Sequence, residues 1–571
     1  MTLIYLFFLT LNQDFWENAQ EKDLETILWE LEELKDNPLD LNTAGLEELS
    51  KIPFLKPADC LKIIGYRERY GEFESVDDLL KIKGFEKGLL ELVRPYLTVN
   101  TRKIKWRGLH NSIRFQKELN SSEKFYTRTI LNLNDYQIFL VTEKDPGESS
   151  FFDYYSTGVV VEEKQRKFAL GNYNLDYGAG VMLSTLGSFF SGSDFRFLIR
   201  ERGITPYTST MENGGFFGAA LSDTLLLNYC IFYSNQKLDG KVDTSGHAWS
   251  FDPSGIHADS AGLARKDRIR EEIIGYYLNY KTKTFQLYQS TYWSAYEPTF
   301  VCRDSNNEFY GKNYTLTGIG GRYGGERFIV FGEFARSFAS RLGCIFGWTG
   351  LLPYNFEFSL AGSVFNPGFY APKGIEAKDD YLGLCIDFVQ HSRIFNSGTT
   401  VNIYTNSLND TTHYDLRLNF DRTIGFTETK LTFNWRYRQS YKISSGSKVA
   451  LRLQPRKPIY VDLRLQDKYL YGDSIKKGLF GGIEFGWSGA LIGSKIGFGI
   501  YDTESYLTRI YVYEPDLPGV LNNRVAYGKG RYGFGYLMVK PLPKIVLHCK
   551  YAINEKDSLI HTLGFQAEIK I

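Results

Sequence analysis

The stretch His413–Arg438, HYDLRLNFDRTIGFTETKLTFNWRYR, decides the fold. Tyr414, Leu416, Leu418 and Phe420 alternate with Asp415, Arg417, Asn419 and Asp421. After a short, mostly polar link, Leu431, Phe433, Trp435 and Tyr437 alternate with Thr432, Asn434, Arg436 and Arg438. A period of two belongs to strands, so the stretch predicts a β-hairpin with one aromatic, apolar face and one charged face. In a soluble sandwich the apolar face meets a second sheet. In a membrane barrel it meets lipid, and the charged face lines a wet or plugged lumen.

Length and composition favour the barrel. A single continuous unit in a chain of 571 residues requires a large open sheet, a repeat or a barrel. Aromatic residues make up 16% of the chain, with 40 Tyr, 42 Phe and 54 Gly, a mixture suited to strands, aromatic girdles and tight turns. The repeat of about 40 to 50 residues that a propeller requires is absent. Lys and Arg number 67 against 66 Asp and Glu, so no global basic field draws in nucleic acid. No run of about 18 apolar residues occurs, which excludes transmembrane helices but not strands, whose apolar residues alternate.

The apolar run Leu3–Leu9 leaves residues 1–13 open to two readings, a degenerate signal segment or the hydrophobic start of a helix. Residues 14–38 predict one amphipathic helix with Leu24, Ile27, Leu28, Leu31 and Leu34 on one stripe and an acidic opposite face. Residues 39–99 carry four short helical patterns. Asn42 or Thr43 caps the first, and Pro53-Phe54-Leu55-Lys56-Pro57 leads into the second. Ser75 with Asp78 forms a capping box for the third, and Lys83-Gly84-Phe85-Glu86-Lys87-Gly88 turns into the fourth. Two helix pairs with similar connectors make a duplicated unit.

Leu41-Asn42-Thr43-Ala44, Leu46-Glu47-Glu48-Leu49, Tyr66-Arg67, Gly71, Phe73, Ser75-Val76-Asp77-Asp78-Leu79 and Lys83-Gly84 together resemble the tandem helix-hairpin-helix domain of the ComEA-type competence DNA receptors. The resemblance implies duplex DNA binding through Gly-rich hairpins whose backbone N–H groups approach phosphate. The carried-over contacts are Lys56, Lys83, Gly84 and Lys87. This chain departs from the family at the hairpins: Phe54 and Lys56 replace the two glycines of the first, and Glu86 replaces one of the second. Nine basic residues between 41 and 99 face ten acidic ones, a poor balance for neutralising phosphate. A basic run, Arg102-Lys103-Ile104-Lys105-Trp106-Arg107, sits at the junction with the strands. Docking of a periplasmic protein is the competing role for this module.

From residue 100 to 571 the pattern is strand after strand, roughly 20 in all, in keeping with the size range of transmembrane barrels. The hairpin from Tyr532 to Tyr551 turns on Lys540-Pro541-Leu542-Pro543. The chain ends in an alternating strand through Leu563, Phe565, Ala567, Ile569 and Ile571. Residues 171–220 are richer in Gly, Ser and Thr and form either a lumen plug or a long loop. Asp176–Gly180, Arg202–Thr210, Asn366–Pro372 and Tyr527–Gly530 resemble segments of bacterial proteins that join such a helical start to an outer-membrane barrel.

Catalytic and cofactor signatures are lacking. Gly528-Lys529-Gly530-Arg531-Tyr532-Gly533 spells G-x-G-x-x-G but runs into a strand with no helix after it. Ser254 and His257, near Asp252 and Asp259, lie in a polar stretch that reads as a solvated loop. The six cysteines are dispersed, with no zinc spacing. The expectation is a mostly β, non-enzymatic chain without cofactor or metal: a large antiparallel barrel in outer-membrane lipid, preceded by a small all-α periplasmic module. That module binds DNA or, alternatively, docks a periplasmic protein while the barrel serves as a porin-like conduit or assembly platform.

Overall fold

In the computed structural model the deciding hairpin has Tyr414 opposite Tyr437, Leu416 opposite Trp435, Leu418 opposite Phe433 and Phe420 opposite Leu431. The structure describes residues 31–571 except 32, 36, 86, 100–106, 120, 151, 185–200, 253–254, 302–309, 326, 338–340, 375–380, 393–394, 407–410, 426, 439–440, 457, 521 and 557. The segment 1–13, most of the helix expected over 14–38 and most of the basic run from Arg102 therefore lie outside the described residues.

The strands close into one antiparallel barrel. Its first strand, Arg107–Glu118, pairs with its last, Leu559–Lys570, from His110 opposite Lys570 to Glu118 opposite Thr562. The barrel has 24 strands, which corrects the expected number of roughly 20. Strands such as Asn396–Asn406 (NSGTTVNIYTN) carry Ser397 and Thr399 on the outward row where apolar residues would alternate, so they give only a weak period-2 signal. The hairpin expected to turn on Lys540–Pro543 turns slightly later, with Leu542 opposite Ile545.

The two mouths differ. At one, strands are joined by tight turns such as Asn134-Asp135 and Lys164-Gln165, with both turn-starting residues at positive φ. The chain enters the barrel there at Arg107 and ends there at Ile571. At the other mouth the connections are long, notably 177–215, 239–268 and 504–528.

Polarity is inverted across the wall. Ile496 is 65% exposed while its neighbour Lys495 is 2% exposed, and Phe485 is 51% exposed beside Glu484 at 3%. Exposed rings beside buried charges reverse the order of a soluble protein and fit a wall with lipid outside. The lumen is filled from the long-loop side. Residues 177–183 descend among the inward-facing residues, where the Glu333 carboxylate accepts from the Ala179 N–H at 2.6 Å and the Met182 N–H at 3.1 Å. Gly178 adopts φ +70 there, and a Cβ would lie 2.6 Å from the Tyr288 ring. Further round, the connection 504–528 folds inward, and Lys550 bridges Glu514 and Asp516 at 2.7 and 2.5 Å.

Placing Arg at the outward position Phe498, midway along Ile492–Thr503, is expected to destabilise the barrel in lipid by about 2–4 kcal/mol. Urea titration of refolding into phosphatidylcholine vesicles measures this; an unchanged midpoint would show that the outer face does not contact hydrocarbon.

Candidate functional site

Residues 39–98 form a compact helical module closed by a parallel pairing of Leu39 with Leu97 and Asp40 with Thr98. Helix α1 (Leu46–Ser50) starts at Gly45, whose N–H donates to Glu48 Oε2 at 2.9 Å. Asn42, expected as a cap, instead joins the two halves: its amide donates to the Phe73 carbonyl at 3.0 Å and accepts from the Phe73 N–H at 2.8 Å. Helix α2 (Pro57–Tyr70) begins on a proline and ends at Gly71, whose φ of +92 suits glycine. Arg67 on α2 clamps the start of the module by donating to the Leu41 and Ala44 carbonyls, both at 2.8 Å. Ser75 and Asp78 form the expected box, but on a 3-10 turn, Val76–Lys81. Helix α3 (Lys87–Val93) comes next.

This module sits in the short-turn mouth. Glu47 pairs with Lys281 and Arg322, both inward-facing near strand ends. Leu61 of α2 belongs to the same apolar cluster as Val181, Met182 and Tyr288 inside the barrel. Tyr513, from the inward-folded connection, belongs to the module's own core cluster. At the second hairpin, Gly84 has φ +84, and a Cβ on it would meet the His391 ring at 3.1 Å and the Lys62 ammonium at 3.2 Å. The inward-facing Glu357 carboxylate accepts from Lys62 and lies 2.8 Å from His391 Nε2. Lys62 is almost buried; desolvation opposes its charge, but the Asp59 and Glu357 carboxylates outweigh it and raise its pKa. The His391 ring of the barrel, held by Glu357, thus covers the side of Gly84 at the second hairpin.

The predicted contacts are therefore divided. Lys56 and Lys83 are exposed, whereas Gly84 faces the rim and Lys87 opens α3 with its side chain outside the described residues. Sequence reading passed over Lys62, Glu357 and His391. Only the period-2 phase of Glu357, beside the outward Phe356 and Phe358, marked it as facing the lumen.

At the long-loop mouth, His257 does not lie in a solvated loop as expected; it is buried, and Ser254 is outside the described residues. His257 Nδ1 lies 2.5 Å from Asp153 and Nε2 2.9 Å from Asp239, with Glu148 accepting from its backbone N–H at 2.9 Å. These carboxylates and Glu212 come within metal-ligand spacing of the ring, but both ring nitrogens already meet carboxylates. Burial and the adjacent Asp239 push Glu212 up to about 9. Burial lowers His257, and hydrogen bonds to Asp153 and Asp239 more than reverse it, raising the imidazole pKa.

Fold and site together define a closed barrel of the outer-membrane type with a helix-hairpin-helix module seated in one mouth. Residues 35–98 match the helix-hairpin-helix motif family. Over 61 residues the chain is 36% identical to ComE operon protein 1 of Bacillus subtilis (strain 168), a match spanning 11% of this chain and 30% of that protein. Among solved structures, the P pilus usher (PapC) translocation pore aligns over 81% of this chain and 98% of its own, at 7% identity and TM-score 0.36. The FrpB iron transporter from Neisseria meningitidis aligns over 83% of this chain and 84% of its own, at 8% identity and TM-score 0.37.

Glu357→Gln is expected to loosen the module, since breaking one partner of a buried pair costs about 3–5 kcal/mol. Amide hydrogen exchange over 57–70 will rise while barrel strands keep their protection; unchanged exchange would show that the pair does not hold the seat. The His257 cluster has the opposite sign from ordinary carboxylates. Both raised pKa values add stability that is full below the unfolded values, about 4.3 for Glu and 6.5 for His, and is lost as pH rises through the folded values. The thermal unfolding temperature will therefore fall as pH rises towards 9, and Glu212→Gln will remove the alkaline part of that fall.

Proposed function

We propose that this chain is a non-enzymatic outer-membrane conduit held closed by its own helix-hairpin-helix module, which acts as a stopper and docking element at the periplasmic mouth. The tight turns at the mouth that holds the module support a periplasmic placement, because outer-membrane barrels keep short turns on that side. The single observation that carries the proposal is the pairing of Lys62 and His391 with Glu357 beside Gly84, which turns the anion-recognising hairpin towards the barrel. A periplasmic protein that binds the module outside the mouth, or draws it out, would open the conduit.

DNA capture is the second reading. The exposed Lys56 and Lys83 and the match to ComE operon protein 1 favour it. In the seated state, however, Gly84 is covered by His391 and Lys62, and Lys62 is already paired with Glu357.

In planar bilayers the full chain is expected to show no steady conductance, and Glu47→Ala with Glu357→Gln to produce openings; equal conductance in both would reject the stopper. Anisotropy with short duplex DNA at two salt concentrations separates the readings. The closed conduit predicts no salt-sensitive binding by the wild type. Binding that disappears with Lys56→Ala, Lys83→Ala and Lys87→Ala combined would assign the module to DNA capture.

A further inference from the structure

Strands Thr411–Ile424, Thr427–Arg438, Tyr441–Arg456 and Ile459–Tyr471 lie side by side and share outward rows of residues. One row is Leu416, Trp435, Ser445 and Tyr469; the next, nearer mid-wall, is Leu418, Phe433, Ser447 and Asp467. With Tyr471 they line a groove of about 340 Å³ on the outer surface of the barrel. Its floor is low because Ser445 and Ser447 carry small side chains between the aromatic residues of the adjoining strands. One wall is Trp435 and Phe433; the other carries the Asp467 carboxylate and the Tyr469 and Tyr471 hydroxyls.

A carboxylate on a lipid-facing row is unfavourable unless something pairs with it. Asp467 accepts from the Ser447 N–H at 3.0 Å and from the Ser447 hydroxyl, while the Ser445 hydroxyl meets Tyr471 at 3.1 Å. Those serines are themselves polar groups placed on the outer face, so the groove is a polar patch several residues across and not one tolerated charge. Below it, towards mid-wall, Phe420, Leu431, Val449 and Leu465 form a row that is apolar throughout. Above it, Tyr471 and Arg438 end their strands at the long-loop mouth, where headgroups meet hydrocarbon.

We infer that this groove binds one membrane amphiphile bearing a primary ammonium head. The ammonium donates to Asp467 and the surrounding hydroxyls, the Trp435 and Phe433 rings flank it, and the acyl chain runs down the Leu431, Val449 and Leu465 row. An ammonium offers three donors to a site that presents a carboxylate and hydroxyls, whereas an anionic head would meet Asp467 with like charge.

Native mass spectrometry of the detergent-solubilised full chain tests this with phosphatidylethanolamine, phosphatidylglycerol and soluble ethanolamine as separate probes. The expected result is one retained phosphatidylethanolamine under activation that strips phosphatidylglycerol, with ethanolamine alone not retained. Retention should fall by about tenfold or more in Asp467→Asn, which loses the charge, and in Ser445→Leu, which fills the floor but keeps Asp467. Heat-modifiable gel mobility confirms that each variant is folded. Equal retention of the two phospholipids by the wild type, or wild-type retention in both folded variants, would overturn the assignment. Retention of ethanolamine alone would reduce the site to an amine pocket without a lipid lane, and a dimer lost in both variants would give the groove to a second copy of the chain.

Discussion

Closure of the sheet is the constraint on which the rest depends. A strand bordering hydrocarbon must find every backbone partner within the protein, because lipid offers neither donor nor acceptor. Pairing of Arg107–Glu118 with Leu559–Lys570 meets that demand by joining residues near the two ends of the chain. Once the wall is closed, the alternation of each strand fixes the side to which every residue points. Rings such as Phe485 and Phe498 go outward, and Lys495, Glu484, Arg452 and Asp462 go inward to where they can pair. The Arg452 guanidinium donates to Asp462 at 2.7 Å, giving a buried charge its counter-charge. A lumen so lined must be wet or filled, and here residues 177–183 meet Glu333 while the connection 504–528 meets Arg464 and Lys550.

In the helical module, the residues that make the scaffold can be told apart from those that would contact a ligand. The residues that carry its family resemblance are structural. Arg67 holds two carbonyls, Asn42 ties the halves, and Gly71 and Gly84 supply positive φ. None of these roles requires nucleic acid. Where the family keeps open glycines in the first hairpin, this chain has Phe54, which is buried in the module's core, and the exposed Lys56. The first hairpin has been recruited to packing and the second to the rim. Matching landmarks report how a chain folds, whereas its ligand depends on what its loops face, so the resemblance carries the fold further than it carries the ligand.

The wall and the module were legible because both rest on local periodicity. The hairpin at 413–438 has the register its alternation implied, and the capping box at Ser75 lies at the expected residues. Strand number was less legible, because outward Ser and Thr in strands such as Asn396–Asn406 dilute the pattern. The seat was not legible. Lys62 and Glu357 are 295 residues apart, and each looks like an ordinary charged residue on its own element. The burial of His257 was hidden for a similar reason, since Asp153 comes from another connection and Asp239 from the start of its own.

The helical module and the inward-folded connections are held inside one barrel by two kinds of contact. An ion pair at the rim contributes little net stability when both charges must be desolvated, so Lys62–Glu357 and Glu47–Arg322 are better understood as fixing orientation. The attractive term lies in apolar contact: Leu61 joins the cluster of Val181 and Met182, and Tyr513 joins the core of the module. Withdrawing the module would expose both contacts at once, together with the charges at the rim. The connection 504–528 reaches the module from the opposite mouth through Tyr513, so a change there alters the module's own core. Packed side chains thus link the two mouths across the lumen without involving the wall.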